Sequence, residues 1–216
     1  FWVEACARMV APRDRMGADY TVTELVRPVH QSLLLHQHGA TIPEDVSLFG
    51  DLMLGVGIHR ALEVGAKSLG EGNVLGGFSE VRLASDFAGK VVSGATDHFE
   101  LLAGGDDQTF LDDGILWDIK SCKVWAVKWF QKDDGKDEWT AQCNAYAELW
   151  RRAGYTPKAL KILAVMKDWG FRDAEREEDY PNQQEVVLDL PLWPSSQAVA
   201  WIEGRVRAHE KARADG

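Results

Sequence analysis

Apolar and polar positions change period along this chain. Up to about residue 70 they recur at helical spacing. "TVTELVRPVHQSLLLHQHG" opens with Thr21 and Glu24 at the spacing of a capping box, and Pro28 breaks or kinks the segment soon after. "SLFGDLMLGVGIHRALEVGAKS" repeats Leu48, Leu52, Val56, Ala61 and Leu62 at helical intervals. Its Gly55 and Gly57 lower helix propensity and permit close packing against a sheet. The middle third changes to short runs rich in β-branched residues: "FSEVRLA", "KVVSGATDHFELLA" and "GILWDIKSCKV". Turn chemistry in "SDFAGK" and "AGGDDQTFLDDG" separates them, which predicts a three-stranded antiparallel meander. A polar, lysine-bearing loop is expected at about 125–137, then a helix from Glu138 to Ala153 with Gly154 just past its end. "KALKILAVMK" reads as a strand and "RDAEREEDYPNQQ" as an acidic, solvated loop. "EVVLDLPL" reads as an edge strand stopping at Pro191, and "SSQAVAWIEGRVRAHEKARA" as a closing amphipathic helix. The sum is an α/β fold, a small mixed β-sheet flanked by helices, with a helical N-terminal part.

Composition narrows the class. With 216 residues, 45% of them hydrophobic and 27% charged, the chain suits one ordinary globular domain with a real core. No stretch approaches the roughly 18 apolar residues that cross a bilayer, so no membrane partner is expected. The start, "FWVEACARMV", lacks the pattern of a secretory signal, and the missing initiator methionine points to a trimmed or processed chain. Cys6, Cys122 and Cys143 form no CxxC pair, which fits a reducing cytoplasm. Three cysteines are also one short of a four-thiolate iron–sulfur site.

Net charge is −10, which argues against a general polyanion binder. Its distribution changes the picture. Lys120 to Lys136 holds five lysines and two aspartates, a +3 strip on a body carrying the remaining −13. Trp125, Trp129 and Phe130 interleave with those lysines. Two readings stand side by side: a solvated loop with its aromatics tucked inward, or a single-strand platform using Lys123 and Lys128 for phosphates and Trp125 for bases. Of the nine tryptophans, most are expected in the core.

The stretch "ILWDIK" puts Asp118 and Lys120 on one face of a strand. Asp97 lies on the strand before, and Glu80 on the one before that. Taken singly, each acid reads as a solvated strand residue, or Asp118 simply pairs with Lys120. Gathered at one end of a meander, the carboxylates repel unless a cation sits among them, and Mg²⁺ or Mn²⁺ prefers such oxygen ligands.

The whole set resembles the PD-(D/E)XK nuclease superfamily, most closely its RecB-like branch. "GVGIHRALE" with His59 matches that branch's helical signature, Glu80 its first strand acid, and "GATD" with Gly94 and Asp97 its Gly-x-x-Asp. Asp118 and Lys120 match its Asp-x-Lys, and "QCNAY" its helical Gln-x-x-x-Tyr, Gln142 and Tyr146. "TVTEL" and "EWTAQCNAYAELWRRAGY" are similar to phage-encoded members. Ser121 stands where the family often has threonine, and Glu100 or Asp86 competes with Glu80, whose strand position favours it.

The resemblance implies a restriction-endonuclease-like core at 76–216 after a helical part at 1–70, all one nuclease domain. It implies one or two Mg²⁺ or Mn²⁺ ions held by His59, Glu80, Asp97, Asp118 and the Ile119 backbone carbonyl. A histidine nitrogen among oxygens tilts the preference toward Mn²⁺. Glu80, Asp97, Asp118 and Lys120 are the implied catalytic residues, with Gln142 and Tyr146 facing the site beside the nucleic acid. Glu63 is expected at the surface or just behind the ligands, His30, His36 and His38 at the surface or in a loop, and no iron–sulfur cluster is expected. The implied activity is metal-dependent DNA hydrolysis, as an exonuclease of phage or prokaryotic replication, recombination or repair. An endonuclease, a small-phosphoester hydrolase and a non-catalytic nucleic-acid-binding module are the alternatives. Strand polarity and oligomeric state are not legible.

Overall fold

The computed structural model describes residues 14–39, 49–68, 77–102, 112–132 and 137–215. β1 (Tyr20–Thr21) leads into α1 (Val22–Val26), α2 (Val29–His38) and α3 (Phe49–Ser68). β2 (Phe78–Phe87), β3 (Lys90–Leu101) and β4 (Asp113–Cys122) follow, then α4 (Val124–Lys132) and α5 (Asp137–Arg152). β5 (Thr156–Met166), the short α6 (Phe171–Ala174), β6 (Glu185–Leu190) and α7 (Ser195–Asp215) complete the chain. The result is the expected mixed α/β architecture. β2, β3 and β4 form the antiparallel meander, β5 runs parallel to β4, and β6 closes the edge antiparallel to β5.

Local chemistry sets several boundaries. The Thr21–Glu24 capping box is formed in both directions and starts α1. Arg27 turns extended ahead of Pro28, so the proline separates α1 from α2. At the end of α5, Gly154 takes φ +97°. Its N–H bonds back to Arg151, and the Tyr155 N–H bonds to Trp150, the pairing of a Schellman turn. Gly55 lets α3 approach β4, because a Cβ there would meet Ser121 Oγ at 2.9 Å; Gly57 has no such neighbour.

Two expectations fail. The lysine-bearing stretch is the helix α4 as far as Lys132, not a loop from 125. Val124, Val127 and Phe130 recur every three residues and are buried, and this stripe outweighs the lysines between them. Nor, among the described residues, are the tryptophans mostly core: Trp150 is buried, Trp139, Trp169 and Trp201 are half-buried against the core, Trp117 and Trp193 are partly covered, and Trp125 and Trp129 are exposed. The expectations for Cys6, Leu48, the turn at 103–111 and the lysine strip at 133–136 lie outside the described residues.

α5 packs with α7 and α1 and covers one face of the sheet. Its Trp150 stacks on Phe99, ring centres 4.2 Å apart, with Phe78 and Tyr155 around the pair. α3 lies over the opposite face.

Two irregularities shape the centre. β2 occupies one whole edge of β3, so β1 and β4 must share the other. β1 pairs at Val92 and Ser93, β4 from His98 onward, and neither pairs with the stretch between. Beyond Trp117, β4 stays with β5 alone, so β3 and β4 part like a fork. The second irregularity is a slip in side-chain alternation. Thr96 and Phe99 both meet Trp150 although they lie three positions apart on one strand. On β2, Phe78 and Val81 likewise join one core. Between them Glu80 sits at φ +56°, and its ladder step opposite Asp97 is missing.

Gly114→Ala tests how tightly β4 meets the core, since its Cβ would fall 2.3 Å from the Phe99 ring and 2.6 Å from the Glu100 carbonyl. The expected cost is about 1–3 kcal/mol, a Tm drop of about 2–12 °C in a thermal melt. Gly57→Ala, with no atom within 4 Å, should hold or raise Tm.

Candidate active site

The fork is where the acids gather. His59, Glu80 and Asp97 offer a ring nitrogen and two carboxylate oxygens that all lie within 4.8 Å of one another. α3, β2 and β3 bring one residue each. His59 Nδ1 is 3.0 Å from Asp97 Oδ1. The other oxygen, Asp97 Oδ2, accepts the Ile119 N–H at 2.7 Å and so spans the fork. Asp118 stands on the far prong and is buried. Lys120 Nζ lies 2.8 Å from Asp118 Oδ2 and pairs with that buried carboxylate. Burying a carboxylate is costly even when an ammonium faces it. Together with the His59, Glu80 and Asp97 cluster, Asp118 makes a donor set that fits a hard divalent cation.

Lys120 links the acids to α5. Its ammonium donates to Gln142 Oε1 at 2.8 Å, and Gln142 Nε2 donates to the Tyr146 hydroxyl at 3.0 Å. Tyr146 also bonds to Thr23 of α1. Gly94 makes room for this chain: a Cβ there would lie 2.6 Å from Tyr146 Cε1 and 3.1 Å from Leu149 Cδ1. The glycine of Gly-x-x-Asp and the tyrosine of Gln-x-x-x-Tyr are therefore in direct contact.

The charges perturb one another. The hydrogen bond to Asp97 pushes the His59 imidazole above its ordinary pKa of 6.5; burial opposes the rise, and the Asp97, Asp118 and Glu80 charges add to it. Burial pushes the Asp118 carboxyl up, against the pull of Lys120. Burial alone would lower Lys120, but the Asp118 charge outweighs it and holds the ammonium protonated. Burial, then the Asp118 charge, push the Tyr146 hydroxyl up to about 12.

The other named residues fall elsewhere. Ile119 enters the site through its N–H. Glu100 accepts the Trp117 indole N–H, and Asp86 accepts the Gly89 N–H in the β2–β3 turn; neither belongs to the His59 cluster. Glu63 pairs with Arg60, and His30, His36 and His38 are exposed on α2. Lys123, just before α4, and Trp125 on it are exposed, but Lys128 lies 3.4 Å from Glu177 and 3.3 Å from Asp179. Lys132 also reaches Asp179, at 3.5 Å. The acidic stretch thus folds back on half of the lysine strip.

Three arginines were missed by the sequence reading. Arg15, Arg27 and Arg82 line the same cavity of about 630 Å³ as His59, Asp97, Asp118 and Lys120. Arg82 carried a signal, two residues beyond Glu80 on one strand; Arg15 and Arg27 merely flank "TVTEL".

No protein-family model matches this sequence, and no curated protein matches it. Solved structures do. The crystal structure of SSO0001 superposes with a TM-score of 0.51 at 15% identity, covering 95% of this chain and 82% of that one. A phage-related exonuclease from Haemophilus somnus 129PT gives a TM-score of 0.48 at 14% identity, over 85% of this chain and 78% of that one. At such identities the first likeness speaks for the fold alone, and the second adds nothing further.

Two experiments probe the geometry. A metal held by the His59 ring would have to displace the extra proton of the imidazolium, which the bond to Asp97 makes harder to remove than from a free imidazole. Mn²⁺ affinity should therefore climb as pH rises from about 6.5 through the raised His59 pKa, then level off, in calorimetric titrations. His59→Ala should weaken binding about tenfold or more and flatten that climb. Gly94→Ala should displace Tyr146 and, through Gln142, Lys120. Its expected signature is a loss of about 1–3 kcal/mol in stability and a turnover at least about tenfold lower.

Proposed function

We propose that this chain is a divalent-metal-dependent nuclease that hydrolyses DNA phosphodiester bonds. We read it as one nuclease unit over 1–216, an exonuclease of phage or prokaryotic DNA replication, recombination or repair working in the cytoplasm. The observation that carries this reading is the His59, Glu80 and Asp97 cluster beside the Asp118–Lys120 pair at the fork. Among the described residues no helix is long and apolar enough to cross a membrane.

His59, Glu80 and Asp97 would hold the ion, Mg²⁺ or Mn²⁺, with Asp118 and the Ile119 carbonyl completing the set. Bound there, it supplies Lewis acidity, lowering the pKa of a water and offsetting phosphate charge. The Ile119 N–H fixes the Asp97 carboxylate in orientation. Lys120 is held protonated by Asp118, which suits donation to a phosphate oxygen as negative charge builds during attack. Gln142 keeps the ammonium aimed, itself held by Tyr146. Arg82 and Arg27 offer cationic contacts to flanking phosphates on the same cavity wall. Exposed Lys123 and Trp125 provide a secondary contact for a single strand. Lys128 contributes only if its acidic partners give way.

Asp118→Asn and Lys120→Gln should each lower Mg²⁺- or Mn²⁺-dependent DNA cleavage by at least about a hundredfold while a thermal melt still shows a cooperative transition. End-labelled linear DNA, circular single strands and closed duplexes are the substrates, with and without chelator. Cleavage of linear DNA that chelator abolishes, with circles left intact, is the expected result. Parental rates in either variant would remove these residues from the chemistry.

A further inference from the structure

A second cavity, of about 480 Å³, adjoins the first from the α3 side of the sheet. His59, Asp97 and Ile119 line both. The first cavity is walled by arginines and Lys120. Most of the second's exposed wall is apolar, from Ala61 and Leu62 of α3, Trp117 of β4 and Leu163 of β5, and the Glu63, Glu80 and Glu100 carboxylates complete it. Leu62 stays 37% exposed at its mouth. The Trp117 indole is fixed by its N–H bond to Glu100 Oε2 at 2.8 Å. Ser79 and His98, paired at 2.9 Å, give the wall a polar edge.

We propose that this cavity is a nucleobase subsite, holding the base of the nucleotide next to the scissile phosphate, unstacked from its strand. The proposal rests on the nuclease reading and adds a substrate determinant to it. A nucleotide is an anionic phosphate joined to a flat, largely apolar heterocycle. The two cavities present those two chemistries in that order, with His59 and Asp97 at their junction. Trp117 supplies a face for stacking, Leu62 and Leu163 the remaining apolar wall, and Ser79 with His98 the partners for a base edge. The base then acts as an anchor that sets which phosphate stops at the metal ligands.

The test is a cycle between one protein substitution and one missing base. Single-stranded oligonucleotides carry an abasic residue at successive positions from each end, and Mn²⁺-dependent cleavage is followed bond by bond. In the parental protein, the bond beside the abasic residue should be cut on the order of tenfold to a hundredfold more slowly. Leu62→Trp, which fills the mouth, should slow the intact strand by a similar factor and abolish the difference between intact and abasic. Trp117→Leu, which keeps an apolar wall but removes the stack, reads the same cycle if the larger side chain disturbs folding. Val64→Trp, 58% exposed on α3 and outside the cavity lining, should leave both rates unchanged. A non-additive cycle supports the subsite. Cleavage at equal rates with and without the base, or penalties that simply add, overturns it and leaves the nuclease reading standing; that is also the outcome if another part of the chain fills the cavity. If no DNA is cut under any condition, the nuclease reading itself falls and the subsite with it.

Discussion

One edge of one strand cannot serve two partners at the same place, and the site follows from that constraint. β2 claims one side of β3, so β1 and β4 divide the other, and on that second edge the stretch between Ser93 and His98 is left without a strand partner. An open edge inside a sheet exposes backbone polar groups that must find partners. Here a side chain bridges the gap: Asp97 Oδ2 takes the Ile119 N–H. A carboxylate is thereby held rigidly at the fork by the sheet's own hydrogen-bonding demand. Directly opposite, the alternation slip at Glu80 brings a second carboxylate beside it. The left-handed backbone of Glu80 is strain of the sort that persists where surroundings over-determine it.

Such crowding of negative charge needs compensation even before any ion arrives. Three carboxylates are answered in three ways. Asp97 shares the His59 proton, Asp118 faces the Lys120 ammonium, and Glu80 lies within reach of the His59 ring. The raised His59 and Asp118 values are the cost of that arrangement expressed as proton affinity. A divalent cation would replace a proton with two charges at a place already shaped to hold one. Lys120 is held from two sides, by the Asp118 carboxylate at 2.8 Å and by Gln142 on the α5 side, so its ammonium stands at the edge of the acid cluster.

Much of this was legible from the sequence where short-range chemistry decides. The Thr21–Glu24 box, the break at Pro28, the stop at Gly154 and the meander of β2 to β4 all follow from local patterns. So does the convergence of Glu80 and Asp97, because consecutive hairpin-linked strands place equivalent ends together. The fork was not legible, because sharing of an edge by β1 and β4 depends on a two-residue strand some seventy residues upstream of its partner. The alternation slip was hidden for a related reason. A strict two-residue period would place Thr96 and Phe99 on opposite faces, and only the packing of Trp150 shows that they share one. Gly94 could be read as a motif letter; its reason, the Tyr146 ring lying against it, depends on a helix that docks from far along the chain.

The lysine strip shows where composition misleads. Counted along the sequence, Lys120 to Lys136 is a basic window on an acidic chain. In space the helical period divides it. Val124, Val127 and Phe130 turn inward, Lys128 and Lys132 turn toward Glu177 and Asp179, and Lys120 belongs to the site rather than to any surface strip. An exposed pair contributes little to stability, yet it lowers the local potential that a polyanion meets. The cationic character that adjoins the acids comes instead from Arg82, Arg27 and Arg15, scattered over the sequence and assembled by the fold. Arginine's planar fork matches phosphate geometry better than lysine's point charge does. The charge that matters for a polyanion is therefore set by which side chains share a wall with the metal ligands, and net charge along a window is a poor guide to it.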